Sequence, residues 1–269
     1  MPAFICVTCG VQYAESADPP ADCRICVDER QYVGFGGQHW TTLDALAETH
    51  ENHIEAEEPG LASIETRPNF AIGQRALLVQ HPEGNVLWDC LSLVDQASVD
   101  RVADLGGVRF IAISHPHYYG ACVDWSQAFG GIPVYINDAD ARWVCRPDPC
   151  VNFWAGETFP LVDGLTLVRC GGHFEGGTIL HWMAGADERG VLLTGDIVKV
   201  GMDRASVSVM RSYPNLIPLG PTALTRIEAM LEPLKYDRIY GGWMGHRIDR
   251  DAQAVVKRSI ERYRAAIAG

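Results

Sequence analysis

Two histidines directly follow a short apolar segment in the middle of the chain. The segment Val108 to Ile113 is typical of a buried β-strand, and Ser114, His115, Pro116 and His117 come immediately after it. Imidazole nitrogens are common ligands for zinc and ferrous iron. The pattern therefore predicts that these two histidines lie in a loop at the end of a strand, where they can bind a metal ion.

Three later strand-like segments end in the same way, at a residue that can bind a metal. They lead to His173, Asp196 and His246. One such residue alone is more often an ordinary loop residue, but four strand ends with histidine or aspartate form an ordered set. These residues are therefore considered together as candidate ligands.

The ordered set resembles the metallo-β-lactamase-fold superfamily, and the resemblance covers residues 62–269. The superfamily signature is His-x-His-x-Asp-His, then a distant His, an Asp after a strand, and a last His. The resemblance implies an α/β fold, the four-layer αββα sandwich of this superfamily. It also implies a first metal site made of His115, His117 and His173, with Asp196 in the place of the bridging carboxylate.

The chain departs from the signature at the second metal site. Tyr119 and Gly120 stand where the superfamily has Asp and His. The remaining donors suit a single Zn²⁺ or Fe²⁺ with one position left open for a reactant. A facial triad of His115, His173 and Asp196 for non-haem iron is the alternative, which leaves open whether His117 is a ligand.

The resemblance implies a mononuclear metal-dependent hydrolase, in which metal-activated water attacks a small ester, lactone, thioester or related acyl substrate. Without a second ion, Tyr119, His246 or Lys199 are candidates to hold the nucleophile or stabilise the leaving group. The simpler interpretations are an aromatic that fills space, a loop histidine and a solvated lysine. Two other functions stay open: an iron oxygenase of the persulfide-dioxygenase type, and an inactive metal-binding scaffold.

Two pairs of cysteines near the N-terminus form a second metal-binding pattern. Cys6 and Cys9 are followed, after thirteen residues, by Cys23 and Cys26. The pattern is typical of a zinc ribbon or a rubredoxin-like knuckle and predicts a structural metal, with Zn²⁺ favoured over iron. Two disulfides or free thiols are the alternative. Because so short a segment buries little apolar surface, we expect metal binding to stabilise its fold.

Composition indicates one main globular domain preceded by this knuckle. The chain has 269 residues, of which 47% are hydrophobic and 21% charged. We expect a knuckle over residues 1–37, a linker helix over residues 38–61 and the main domain over residues 62–269. A helix behind Thr41 and Thr42, a hairpin turn at residues 82–84 and a helix over residues 95–105 are expected. Apolar stripes at residues 224–234 and 252–267 predict two helices packed on the core.

Charge and cysteine content limit the partners and the compartment. The formal net charge of −12 and an acidic knuckle loop argue against binding to nucleic acid or anionic lipid, so a small-molecule substrate is expected. The sequence has no apolar run of membrane-spanning length and no secretion signal. With nine cysteines and no further paired pattern, the expected location is the cytoplasm. The knuckle is also a candidate surface for homo-oligomer contacts.

Several other residues lie near the candidate ligands in the sequence. Cys122 and Cys170 could line the cleft or be buried thiols. Aromatic residues could wall an apolar pocket or belong to the core. These are Tyr118, Tyr119, Trp154, Trp182 and Trp243.

Overall fold

The computed structural model of the chain describes residues 1–268. Residue contacts divide it into two compact units, of which unit 1 contains residues 1–136 and 140–153. Unit 2 contains residues 137–139 and the chain from residue 154 onward. In the described part of the chain, no helix has the length and apolarity needed to cross a membrane.

The first part of the chain, up to Trp154, is rich in strands. Its strands are β1 Ala3–Cys6, β2 Gln12–Glu15, β3 Trp40–Thr41, β4 Glu51–Glu58, β5 Leu61–Arg67, β6 Arg75–Val79, β7 Val86–Trp88, β8 Phe110–Ala112, β9 Val134–Asn137 and β10 Val151–Trp154. Its α-helices are α1 Leu43–Ala47, α2 Gln96–Asp104 and α3 Cys122–Ala128, and two 3₁₀ helices span Pro116–Tyr118 and Asp138–Trp143. The strands form a three-stranded sheet, β2-β1-β3, and a seven-stranded sheet, β10-β9-β8-β7-β6-β5-β4.

The seven-stranded sheet brings polar residues to one edge. Strands β4 to β7 are antiparallel, whereas β7, β8 and β9 are parallel, with Trp88 opposite Ala112. Parallel neighbours end at the same edge of a sheet, which is where ligand sites form in α/β proteins. Asp89 follows β7 and His115 follows β8, so this edge carries both residues.

The second part of the chain builds another sheet. Its strands are β11 Thr158–Val162, β12 Leu165–Arg169, β13 Thr178–Trp182, β14 Val191–Gly195, β15 Lys199–Val200, β16 Val207–Ser208, β17 Met210–Ser212, β18 Ile217–Pro218, β19 Arg238–Gly241 and β20 Arg247–Ile248. Its helical segments are the short turn α4 Gly185–Glu188, and helices α5 Pro221–Leu231 and α6 Ala252–Ile267. Six strands form one sheet, β11-β12-β13-β14-β19-β20, while β15-β16 and β17-β18 are separate hairpins.

Strand direction explains why three candidate residues of unit 2 share an edge. Strand β13 is antiparallel to both β12 and β14, and β19 is parallel to β14. Strands β12, β14 and β19 therefore run in the same direction. The loops at their carboxyl ends carry His173, Asp196 and His246.

Helices α5 and α6 cover the core of unit 2. The apolar stripe of α5 buries Leu224, Ile227 and Leu231, and that of α6 buries Val256 and Ile260. Burying a side chain of this kind stabilises a fold by roughly 1.5–3 kcal/mol. The prediction that both stripes belong to the core is therefore confirmed.

The predicted linker helix over residues 38–61 is wrong in its second half. Helix α1 spans only Leu43–Ala47, and the Thr42 hydroxyl caps it by accepting a hydrogen bond from the Ala45 amide at 3.3 Å. The segment Glu51–Glu58 is strand β4, which pairs along its length with β5. Strand pairing therefore overrode the helical spacing. By contrast, the predicted turn at residues 82–84 and the predicted helix over residues 95–105 are confirmed, the latter as α2 with Asp95 as its N-cap.

Candidate metal centre

The loop after β8 holds two of the candidate ligands. The Ser114 amide donates a hydrogen bond to the Asp89 carboxylate at 2.7 Å, and the Ser114 hydroxyl lies 3.0 Å from His115 Nδ1. His117 is in the 3₁₀ helix Pro116–Tyr118, and its ring centroid lies 5.2 Å from that of His115. Both imidazoles are buried. The carboxyl ends of β7 and β8 thus fix the position of this histidine loop, residues 114–120.

His173 has an orientation that suits metal binding. Its Nδ1 lies 3.2 Å from the Met210 carbonyl oxygen. Because a carbonyl oxygen can only accept, Nδ1 carries the proton, and the lone pair lies on Nε2. Hydrogen bonding of a ligand histidine through its other nitrogen is a common feature of metal sites.

Asp196 follows β14, and a tyrosine that the sequence analysis did not identify holds its backbone. The Tyr213 hydroxyl lies 2.8 Å from the Asp196 carbonyl oxygen and 3.1 Å from that of Ser208. Burial, followed by the negative charge of Asp196, raises the pKa of Tyr213 well above its ordinary value. The phenol therefore keeps the proton that it donates to these carbonyls.

The structure brings four of the predicted residues together. The candidate donor atoms of His115, His117, His173 and Asp196 all lie within 4.8 Å of one another, and all four residues are buried. Ligands at about 2.1 Å from one zinc ion lie about 3.4 Å apart in a tetrahedron. Donor atoms that are near the 4.8 Å limit would therefore move closer together around an ion. Three imidazoles and one carboxylate fit zinc or ferrous iron.

Backbone packing occupies the position where a second-site histidine would stand. Gly120 has a φ of +49°, and a Cβ atom there would lie 2.6 Å from the Leu91 carbonyl oxygen and 2.8 Å from that of Cys90. The neighbouring Tyr119 is buried, and its hydroxyl donates to the Asp140 carbonyl at 3.1 Å. This contact favours a packing role for Tyr119 over the predicted role near the metal.

The two other candidate catalytic residues lie in unit 2, along a row of aromatic rings. The Lys199 ammonium is 4.6 Å from the ring centroids of both Tyr213 and Trp243. The Tyr213 ring is 5.7 Å from the His173 ring, and the Trp243 ring is 5.7 Å from the His246 ring. In the described part of the chain, His246 does not belong to the cluster of four donors. Its Nδ1 instead donates to the Val200 carbonyl at 3.2 Å.

The nearby thiols and most of the nearby aromatic rings belong to the interior. Burial raises the pKa of Cys122 and Cys170 to about 12, so both stay protonated near neutral pH. Four of the five aromatic residues considered for a pocket wall are buried, and only Trp243 is partly exposed. The four buried ones are Tyr118, Tyr119, Trp154 and Trp182.

The four N-terminal cysteines form a second buried cluster. Their sulfur atoms lie within 4.8 Å of one another, with Cys6 and Cys26 at 3.6 Å and Cys9 and Cys23 at 3.7 Å. These separations are far longer than a disulfide bond of about 2.05 Å. They match the distance of about 3.8 Å between sulfurs bound to one zinc ion in a tetrahedron.

Two side chains donate hydrogen bonds to sulfurs of this cluster. The Tyr13 hydroxyl lies 3.3 Å from Cys23 Sγ, and the Gln38 amide nitrogen lies 3.2 Å from Cys6 Sγ. Burial raises the pKa of the Cys9 thiol well above its ordinary value. A cation at the centre would offset this cost and favour the thiolate form.

Comparison with known proteins identifies relatives at two levels. No family model matches the chain. It is 48% identical over 269 residues to the uncharacterized protein YmaE of Bacillus subtilis (strain 168), covering 99% of this chain and 97% of that protein. So close a match over nearly the full length of both chains shows common family membership.

Solved structures confirm the predicted fold. The structure of VMB-1 matches with a TM-score of 0.60 and 13% identity over 81% of this chain and 98% of that one. The metallo-β-lactamase DIM-1 matches with a TM-score of 0.58 and 14% identity, over 80% of this chain and 98% of that one. The metallo-β-lactamase FIM-1 from Pseudomonas aeruginosa, in a mono-zinc form, matches with a TM-score of 0.57 and 14% identity, over 78% of this chain and 95% of that one. The chain thus belongs to the same family as YmaE and has the metallo-β-lactamase fold, with a four-cysteine cluster at its N-terminus.

Proposed function

We propose that this protein is a mononuclear metal-dependent hydrolase that cleaves a small ester, lactone, thioester or related acyl substrate. The observation that carries this proposal is the buried set of three imidazoles and one carboxylate, with donor atoms within 4.8 Å of one another. A metal ion bound there would lower the pKa of water toward neutrality and polarise an acyl oxygen. The mono-zinc form of FIM-1 shows that a protein of this fold can be isolated with one zinc.

The packing around Gly120 supports one metal ion over two. A ligand side chain at that position would collide with the Leu91 and Cys90 carbonyl oxygens. Tyr119 directs its hydroxyl to the Asp140 carbonyl, where it holds another part of unit 1. We therefore assign the cleft a single ion, held by the four clustered donors.

Lys199 and His246 are the residues that we propose to act on the substrate. Two aromatic rings hold the Lys199 ammonium as a fixed positive charge, which would stabilise negative charge that develops on an acyl oxygen or a leaving group. The hydrogen bond of His246 Nδ1 to Val200 makes Nε2 the proton-accepting nitrogen. His246 can thus take up a proton and pass it to a leaving group.

We further propose that the four-cysteine cluster binds a structural Zn²⁺. Its sulfur spacing fits tetrahedral coordination, and hydrogen bonds from Tyr13 and Gln38 to two of the sulfurs would support the bound thiolates. Purified protein should accordingly contain two metal equivalents.

One set of measurements tests the proposed hydrolase. Wild type, His173→Ala and a control, His53→Ala on the exposed side of β4, are compared for metal content, hydrolysis of acyl esters and lactones, and oxygen uptake. We expect His173→Ala to lose the cleft metal and more than about 100-fold in turnover, a loss above that typical of outer-shell partners. The control should match wild type.

Two results would contradict the proposal. Oxygen consumption with a thiol persulfide, together with iron in the cleft, would show an oxygenase. Full metal occupancy without turnover of any acyl substrate in the panel would indicate a scaffold.

A further inference from the structure

We propose that the four-cysteine knuckle, residues 1–37, clamps the histidine loop, so that metal in the knuckle sets the metal affinity of the histidine site. This inference rests on the proposed function, because it requires that the histidine site binds a metal. Both the knuckle and the loop lie in unit 1. Three sets of contacts connect them.

A backbone hydrogen bond joins the knuckle directly to the histidine loop. The Gln12 amide donates to the Gly120 carbonyl at 3.0 Å. Gly120 is three residues after His117, and Gln12 is three residues after Cys9. A short path along the backbone therefore connects a ligand of one predicted metal site to a ligand of the other.

Residues 90–92 contact both the knuckle and the histidine loop. The Ser92 hydroxyl donates to the Gly10 carbonyl at 2.6 Å. On the other side, the Cys90 amide donates to the Tyr118 carbonyl at 3.1 Å, and the Ala121 amide donates to the Leu91 carbonyl at 3.0 Å. A shift of the knuckle would therefore act on the histidine loop through this segment as well.

The fit at Gly10 leaves little space for such a shift. A Cβ atom at Gly10 would lie 2.5 Å from the Ser92 hydroxyl oxygen and 3.1 Å from Ala71 Cβ, and the residue has a φ of +81°. The backbone of the knuckle thus approaches its support more closely than any other residue type would permit.

A partly buried set of polar side chains forms the third connection. The side-chain amide of Gln12 donates through Nε2 to Asp124 Oδ2 at 2.6 Å. The Arg146 guanidinium donates to Asp124 Oδ1 at 2.6 Å and also to Gln12 Oε1. Asp124 is in α3, which begins directly after the histidine loop. Gln12 is only 3% exposed, whereas Asp124 and Arg146 are partly buried, so loss of the Gln12 side chain would leave each of these two groups with one partner fewer.

The position of this clamp depends on the bound metal of the knuckle. Strands β1 and β2 have four residues each, too few to form an independent core, so the four sulfurs must be held by an ion for the knuckle to keep its shape. With the ion removed, Gly10 and Gln12 lose their fixed positions. The histidine loop then loses the donor to Gly120 and the bridge to α3.

Metal titration of the full chain tests the clamp. Zn²⁺ affinity of the histidine site is measured by competition with a chromophoric chelator, while Co²⁺ substitution reports the knuckle through its thiolate charge-transfer absorption. The variants are Cys9→Ser, Gln12→Ala and a control, Asp22→Ala, which removes an exposed charge of the knuckle. We expect Gln12→Ala to keep the thiolate absorption and to bind Zn²⁺ at the histidine site about tenfold more weakly.

The outcomes separate this inference from the proposed function. Cys9→Ser should lose the thiolate absorption and weaken the histidine site at least as much as Gln12→Ala; if Cys9→Ser does not fold, Gln12→Ala alone decides. Two-site binding by wild type with unchanged histidine-site affinity in Gln12→Ala would overturn the clamp and leave the hydrolase standing. Wild type that binds metal only in the knuckle would overturn both.

Discussion

A single methyl group at Gly120 tests the proposal that the histidine site holds one metal ion. Gly120→Ala places a Cβ atom 2.6 Å from the Leu91 carbonyl oxygen and 2.8 Å from that of Cys90. Both contacts are with backbone atoms, which cannot rotate away as the end of a side chain can. The histidine loop and residues 90–92 must therefore move apart.

Gly120→Ala lowers the free energy of unfolding for two reasons, and a matched control separates them. A positive φ costs an alanine roughly 1–2 kcal/mol, and overpacking typically adds about 1–3 kcal/mol. Gly131 has a φ of +79° and no atom within 4 Å of a Cβ built on it, so only the first reason applies to Gly131→Ala. We expect Gly120→Ala to lower the free energy of unfolding by about 2–5 kcal/mol, of a total of about 5–15 kcal/mol. The difference of about 1–3 kcal/mol between the two variants measures the contact with the carbonyls.

Urea unfolding of the zinc-loaded variants, followed by tryptophan fluorescence, measures both free energies. The double variant Tyr119→Asp, Gly120→His, which restores the residue types of the second metal site, should be destabilised further and should bind no second cleft metal. Equal losses for Gly120→Ala and Gly131→Ala would refute the steric argument. A stable double variant with two cleft metals would refute it as well.

Three further predictions concern the residues around the site. Tyr213→Phe removes the hydroxyl that holds the Asp196 carbonyl, so urea unfolding should show a loss of about 1 kcal/mol, and Zn²⁺ titration a cleft affinity about tenfold weaker. Lys199→Met keeps an unbranched side chain that is one atom shorter and removes the positive charge, together with two cation–π contacts of about 0.5–1 kcal/mol each. Steady-state kinetics should show a lower kcat with KM nearly unchanged. Because burial raises the pKa of Cys122 and Cys170 to about 12, mass spectrometry should find both unalkylated after iodoacetamide treatment of native protein at pH 8, and alkylated after unfolding.

The candidate ligands were predictable because each follows a strand. Short apolar segments mark β8, β12 and β14, and a histidine or an aspartate follows each of them within a few residues. Such a pattern depends on neighbouring residues alone, so sequence reading captures it. The same holds for the cysteine pairs, whose spacing indicates that both thiolates can reach one ion.

Contacts between distant segments were not predictable in this way. Three strands of two or three residues, β15, β16 and β17, separate Asp196 from Tyr213 in the sequence, and they are too short to show a periodic pattern. The local sequence predicts a helix where strand β4 forms, because the pairing of β4 with β5 is a tertiary feature that residue spacing does not show. The hydrogen bond from the Gln12 amide to the Gly120 carbonyl joins backbone atoms, which every residue type provides.

The two residues that depart from the superfamily signature lie against the knuckle. Val11, Gln12, Tyr119 and Gly120 line one small cavity, and the carbonyl of Gly120 accepts from Gln12. A histidine at position 120 would displace residues 90–92, which also hold the knuckle through Ser92 and Gly10. In this chain, the packing that supports the knuckle therefore excludes a second-site ligand. Under the proposed clamp, the knuckle supports the histidine loop at Gly120, which is the position where the superfamily signature has a second-site histidine.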